Sequence, residues 1–273
     1  MKGSYLFVVA VVAAITAVAG SALAAGASSG GGTKSSVVYN SVVPNGPPSN
    51  LPSEAFEAQS VSQFGAAVTF AGTARNLTSV TVGMSSFACV TGSWDGSSGA
   101  CSTPTGATFS QPITLKIYNP SQDGGVTPGS LITSVTQTFA IPYRPSSSSK
   151  CASDPDRPYG WYSPGLKRCF NGITDNVTFN ISGVTLPNNI VYGIVYNTSN
   201  YGPSPYGVTG PYDSLNVALS NESDVTAGST GSIWLNSSWN GAYQDGGATT
   251  GTFRADGASW SPYVPAVQFK ASN

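Results

Sequence analysis

The side-chain period of this chain is two almost wherever a period can be read. Val80, Val82 and Met84 alternate with Ser79, Thr81 and Gly83, and Ile113, Leu115 and Ile117 alternate with Thr114 and Lys116. Val177, Phe179 and Ile181 alternate with Thr178 and Asn180, and Leu215, Val217 and Leu219 with Asn216 and Ala218. Successive residues of a strand point to opposite faces, so each segment reads as a strand with one face in a core. Ile190 to Tyr196 is apolar on both parities and reads as a central strand. Ala66 to Ala71, Ser232 to Asn236 and Ala266 to Phe269 are shorter candidates. Val135 to Ile141 is weaker, because Gln137 breaks its apolar face. Trp234 alternates with Ile233 and Leu235, so its ring is expected on the face opposite theirs. Turns are supplied by Asp123-Gly124-Gly125, Thr127-Pro128-Gly129, Leu186-Pro187-Asn188-Asn189 and Asp245-Gly246-Gly247. Ser53 to Gln63 is the one weak helical candidate, and its Phe56/Ala58 alternation reads equally as strand. Many short strands, Gly/Pro turns and no capped helical period indicate an all-β fold. The expected architecture is an antiparallel β-sandwich, jelly-roll-like, whose sheets share the alternating apolar residues as a core.

Two long insertions interrupt this plan, Thr91 to Thr105 and Pro142 to Gly172. Asn197 to Pro211, rich in Tyr, Gly and Pro, is a third long loop. Loops of this length are uncommon in a compact domain unless they are functional or stapled. The chain has 4 cysteines, Cys89, Cys101, Cys151 and Cys169, which allow three connectivities. The most local one, Cys89–Cys101 with Cys151–Cys169, staples both insertions and leaves no thiol for catalysis. The N-terminus points to an oxidising compartment, where such staples persist. Lys2 precedes an apolar run from Leu6 to Val18 broken only by Thr16, and Ala22-Leu23-Ala24 fits a small-x-small cleavage site. Residues 1–24 therefore read as a secretory signal peptide. The run is shorter than the roughly 20 residues of a membrane span, and retention as an anchor is the alternative. Residues 25–36 read as a flexible Gly/Ser-rich segment and residues 37–273 as a single β-sandwich domain. No Leu-Pro-x-Thr-Gly sorting motif stands near Asn273. The expectation is a secreted, extracellular protein without a membrane partner once the leader is removed.

Charge and histidine narrow the function further. Only 8% of the 273 residues are charged and the net charge is -1. Such a surface has no electrostatic hold on a phosphate backbone, which argues against a nucleic-acid partner. The chain has no histidine. A Ser–His–Asp triad, a Cys–His pair and His-based metal hydrolysis therefore cannot be built. Catalysis would have to rest on carboxylates, Tyr, Lys, a Ser–Lys pair or calcium. No cofactor and no metal centre is expected. Asp95-Gly96-Ser97 and Asp123-Gly124-Gly125 lack the repeating Asp spacing of a calcium loop and read as ordinary turns.

The candidate binding residues are aromatics set in Gly/Ser/Asn/Asp-rich segments: Trp94, Trp161, Tyr162, Trp239, Tyr243 and Trp260, with Asp213 as a polar partner. Exposed rings stack on sugar C–H faces while neighbouring amides and carboxylates take hydroxyls. The plainer reading of each ring is that it covers a loop or closes the end of the sandwich. Glu54 and Glu57 lie close in sequence, and Asp213, Asp245 and Asp256 follow in later loops. A carboxylate pair could serve as acid and nucleophile on a glycosidic bond. The plainer reading is surface charge for solubility.

Several motifs carry a resemblance. They are Phe64-Gly65, Ala71-Gly72-Thr73-Ala74-Arg75-Asn76-Leu77, Pro112-Ile113-Thr114-Leu115-Lys116-Ile117-Tyr118-Asn119 and Pro128-Gly129-Ser130-Leu131-Ile132. Ile141-Pro142-Tyr143-Arg144-Pro145, Cys169-Phe170-Asn171-Gly172, Val191-Tyr192-Gly193-Ile194, Tyr196-Asn197-Thr198-Ser199 and Tyr212-Asp213-Ser214-Leu215-Asn216 continue them. Together they resemble a family of uncharacterised exported bacterial proteins. The strand, Pro-Gly turn, strand pattern is similar to β-sandwich modules found beside bacterial surface anchors. The resemblance implies an extracellular β-sandwich; it supplies no activity and no catalytic residue. The leading expectation is a secreted, non-catalytic sandwich that binds carbohydrate or another extracellular polymer. A carboxylate-dependent glycan hydrolase or lyase and a structural matrix protein are the alternatives.

Overall fold

Alternation on this scale needs two sheets to hide one face of each strand, and a computed structural model shows them. It describes residues 34–43, 50–56, 61–121, 128–196, 215–237, 251–256 and 260–273. The expected leader, residues 1–24, lies outside these. In chain order the described strands are β1 (Ser36–Asn40), β2 (Ser53–Glu54), β3 (Val61–Thr69), β4 (Asn76–Ser86), β5 (Thr108–Tyr118) and β6 (Leu131–Pro142). Then come β7 (Trp161–Ser163), β8 (Arg168–Phe170), β9 (Ile173–Asn180), β10 (Asn189–Val195) and β11 (Leu215–Asn221). The last are β12 (Ser229–Ser237), β13 (Arg254–Ala255), β14 (Tyr263–Pro265) and β15 (Val267–Ser272).

Every pairing is antiparallel. One sheet contains β2-β11-β4-β9, with Val217 of β11 between Glu54 on one side and Met84 on the other. In the same sheet β15 runs along the first part of β4, β1 lies outside β15, and β14 pairs the end of β11. The second sheet is β13-β12-β3-β10-β5-β6. From β2 to β11 the chain changes sheet at every step except the β5–β6 hairpin and the separate β7–β8 pair. The order β2-β11-β4-β9 against β3-β10-β5-β6 is that of a jelly roll. β12 and β13 widen its second sheet beyond β3.

The core holds the residues whose period demanded it. Val80, Val82 and Met84 face Phe64, Leu115, Ile117, Tyr192 and Ile194. β10 is paired on both sides, by β3 and β5, and is covered on both faces, with Tyr192 and Ile194 in the main core and Val191 packed with Trp234 and Phe253, which explains its apolar character on both parities. Phe269 gathers the rings of Tyr39, Phe70 and Tyr192 at 6.2, 5.3 and 5.4 Å. Trp234 points away from Ile233 and Leu235 and packs with Val191 and Phe253 on the other face of its sheet. β6 forms one lateral edge and lies over β9. Gln137, which interrupts the apolar pattern of β6, reaches across to donate to Asn180 O at 3.1 Å, and Phe139 meets Phe179 at 5.0 Å. The polar interruption is thus an inter-sheet tie.

Two expectations are corrected. Ser36, assigned to the flexible segment, begins β1, which pairs β15. The insertion Pro142 to Gly172 is not irregular throughout, because it holds a 3-10 turn, Ser149–Cys151, and the β7–β8 hairpin. Both disulfides form with the local connectivity, at Cα separations of 5.5 and 5.8 Å. They indicate an oxidising compartment, extracellular or periplasmic. Among the described residues no helix is long and apolar enough to cross a membrane.

Candidate functional site

Both cysteine insertions leave the sandwich at the same end. The last residue of β4, Ser86, stands opposite the first of β9, Ile173, and the first residue of β5, Thr108, stands opposite the last of β6, Pro142. The insertions meet there as one cap. Ser147 N donates to Cys101 O at 2.9 Å, Cys101 N donates to Ser147 Oγ at 3.1 Å, and Thr103 N donates to Ser146 Oγ at 2.8 Å. Ser147 Oγ also donates to Tyr159 O at 2.6 Å.

Arg144 locks this junction. It is 0% exposed. Its Nε donates to Pro145 O at 3.1 Å, Nη1 to Trp94 O at 3.3 Å and Nη2 to Tyr159 O at 2.8 Å. Burial pulls its pKa down to about 10, so the guanidinium stays charged at neutral pH. One cation thereby holds a carbonyl from each insertion. Gly96, at φ +78°, lies under the Tyr159 ring, where a Cβ would collide with it.

The cap takes in three of the candidate rings. Trp94 is half-buried and meets Phe87 edge-on at 5.5 Å. Tyr162 is half-buried, with Lys150 Nζ 4.7 Å from its ring centroid. Trp161 was grouped with exposed rings, but it is 5% exposed: its Nε1 donates to Gly172 O at 2.7 Å and its ring packs on Phe170 at 5.3 Å. Trp260 is also buried, against Phe64 at 5.2 Å in the sandwich core, so it is not an exposed platform either. Trp239, Tyr243 and Asp213 lie outside the described residues. The cap adds surface that sequence reasoning missed. Tyr159, Leu166 and Val90 are 40%, 39% and 44% exposed. The signal for Tyr159 was its setting, Pro158-Tyr159-Gly160, beside the Trp161 that was chosen.

A second polar feature lies between the sheets. Glu54 stands opposite Val217, an inward-facing core residue, so its side chain also points inward. Arg254 stands opposite Leu235, another core residue. Asp256 follows two residues later, with its N donating to Ile233 O at 2.8 Å. β2 and β13 are outer strands on the lateral edge opposite β6 and β9, so one carboxylate enters from each sheet. Glu54 is 0% and Asp256 8% exposed. Neither oxygen of Glu54 has a hydrogen-bond partner. Burial, and secondarily the charge of Asp256, push the Glu54 pKa up to about 8. The reading of Glu54 as surface charge is therefore corrected. Its sequence neighbour Glu57 lies outside the described residues. At the far end from the cap, Glu222, Val225, Gly228, Ser229 and Thr230 line a depression of about 300 Å³. It offers one carboxylate and no ring.

Comparison with protein-family models, with curated proteins and with solved structures returns no match to this chain. The functional reading rests on its own residues.

Proposed function

We propose that this is a secreted, non-catalytic β-sandwich that binds carbohydrate or another extracellular polymer through its stapled cap. The observation that carries this reading is the way the cap holds its rings. Tyr159 and Trp94 stand on irregular backbone and Tyr162 on the short β7–β8 hairpin, in a cap that two disulfides and Arg144 tie together. A ring presented on a pre-ordered surface loses little entropy on stacking against a sugar. The low charge of the chain suits a neutral, hydroxyl-rich ligand better than a phosphate polymer. The test is a polysaccharide pull-down and glycan array with the wild type and with Tyr159→Ala and Tyr162→Ala. Binding that is lost in these variants, while their circular dichroism is unchanged, supports the reading. Absence of binding to every polymer, or binding indifferent to both changes, removes it.

The Glu54–Asp256 pair favours a second reading, a carboxylate-dependent glycan hydrolase or lyase. Its closure opposes that reading, since a substrate must reach both oxygens. Release of reducing or unsaturated ends by the wild type, lost in Glu54→Gln, would establish it.

A further inference from the structure

We infer that the free edge of β6 pairs with the same edge of a second copy of this chain, antiparallel and about a two-fold axis at Gln137. β6 is paired on one side only, by β5. Tyr143 N donates to Ala107 O at 3.1 Å, one step beyond the Thr108–Pro142 pair. In an antiparallel ladder hydrogen-bonded pairs alternate with non-bonded ones. The odd-numbered residues from Thr133 to Ile141 therefore direct their backbone groups at β5. Ser134, Thr136, Thr138 and Ala140 aim their N–H and C=O groups outward. All four residues are exposed. Among the described residues nothing bonds to these outward backbone groups.

Proteins guard a sheet edge by keeping it short, or with charge, proline, a bulge or a covering segment. β6 has none of these along its outward run. It is 12 residues long, carries no charged side chain and no proline before Pro142, and keeps its register with β5 unbroken from Thr133 to Pro142. A second copy fits because the edge complements itself. Gln137 is the middle of the run from Ser134 to Ala140. With the axis there, Thr136 meets Thr138 of the second copy and Ser134 meets its Ala140, which gives about eight backbone hydrogen bonds. Thr136 already shares a hydroxyl bond with Thr114 at 2.7 Å, and the second copy's Thr138 extends that row. On the core-facing side Val135 meets Phe139 of the second copy, a favourable β-branched–aromatic pair. Leu131, at 53% the most exposed large apolar side chain among the described residues, comes to lie beside the Pro142–Tyr143 end of the other strand. No like charges are set face to face. Gln137 at the axis holds Asn180 O, and Asp175, the one charge of β9, lies about 17 Å further along that strand. Lys116, the one charge of β5, stands opposite Ser134, so its mate lies at the other end of the contact. A two-fold contact uses the same patch on both copies and closes on itself.

The test is sedimentation velocity of the full chain, disulfides intact, from about 1 to 100 µM. The wild type should sediment as a dimer in the upper part of that range. Thr136→Lys/Thr138→Lys and Thr136→Glu/Thr138→Glu should each associate at least about tenfold more weakly, since like charges then meet across the axis. Mixing the Lys and Glu variants should restore the dimer, because the two-fold sets residue 136 of one copy against residue 138 of the other. A wild type that stays monomeric at about 100 µM overturns the inference even if neither variant folds, and leaves the edge to a strand of another protein. So does a dimer that persists unchanged in the Lys variant, or growth into open-ended assemblies, which a two-fold contact forbids.

Discussion

Arg144 in the cap and Glu54 between the sheets are each 0% exposed, yet the fold meets their charges in opposite ways. Arg144 is given three carbonyl acceptors from two insertions and keeps its proton at neutral pH. Glu54 is given no hydrogen bond and a like charge nearby, and its proton affinity rises to about 8. The cap therefore uses a buried charge as a fastener. The sandwich edge buries a carboxyl that is held more easily with its proton on. A satisfied buried charge makes a region rigid, and an unsatisfied one makes it responsive to the medium.

The contrast breaks most visibly in pH dependence. The folded pKa of Glu54 is raised above its unfolded value, so the folded state binds the extra proton. Its contribution to stability is then full below about pH 4.5 and is lost as pH rises through about 8. Glu54→Gln should gain stability relative to wild type as pH rises from 5 to 9, by on the order of 5 kcal/mol. Denaturant midpoints measured across that range check it, and a constant difference contradicts it. Arg144→Met should cost about 4 kcal/mol at every pH in that range, because it removes the guanidinium donors of Pro145 O and Trp94 O and one of the two donors of Tyr159 O. Limited proteolysis should then cut the cap first, with the sandwich still folded. Replacing either cysteine pair by serine should cost about 3 kcal/mol, again read as cap cleavage before global unfolding. Gln137→Ala removes one exposed inter-sheet hydrogen bond and should cost about 1 kcal/mol, measurable as a small shift in urea midpoint.

The same contrast shows what the sequence could and could not disclose. β4, β5, β9 and β11 were legible because a period of two over five or more residues has no other stable use, and β10 because a short run apolar on both parities reads as a central strand. The local disulfides were legible from spacing and the leader. β7, β8, β13 and β14 were not, since two or three residues hold no period and their pairing is set by the cap and the sheet edges. Arg144 sits in an extended polar run that looks solvated, and only the neighbouring insertion reveals its acceptors. Trp161 follows the plainer reading of a ring that covers a loop, and what fixes it is its Nε1 donating to Gly172 O, a contact that no spacing rule announces. The partner of Glu54 was sought at Glu57. The structure supplies Asp256 instead, from the opposite sheet near the other end of the chain.

The claim that the cap recognises a polymer and the sandwich edge does not is tested most directly by one binding series. Wild type, Tyr159→Ala/Tyr162→Ala and Glu54→Gln are compared for retention on insoluble polysaccharides, with the supernatants assayed for released sugar. The account predicts retention of wild type and Glu54→Gln alike, loss in the double cap variant, and no sugar released by any of the three. Retention unaffected by the cap changes, or sugar release that disappears in Glu54→Gln, would contradict it.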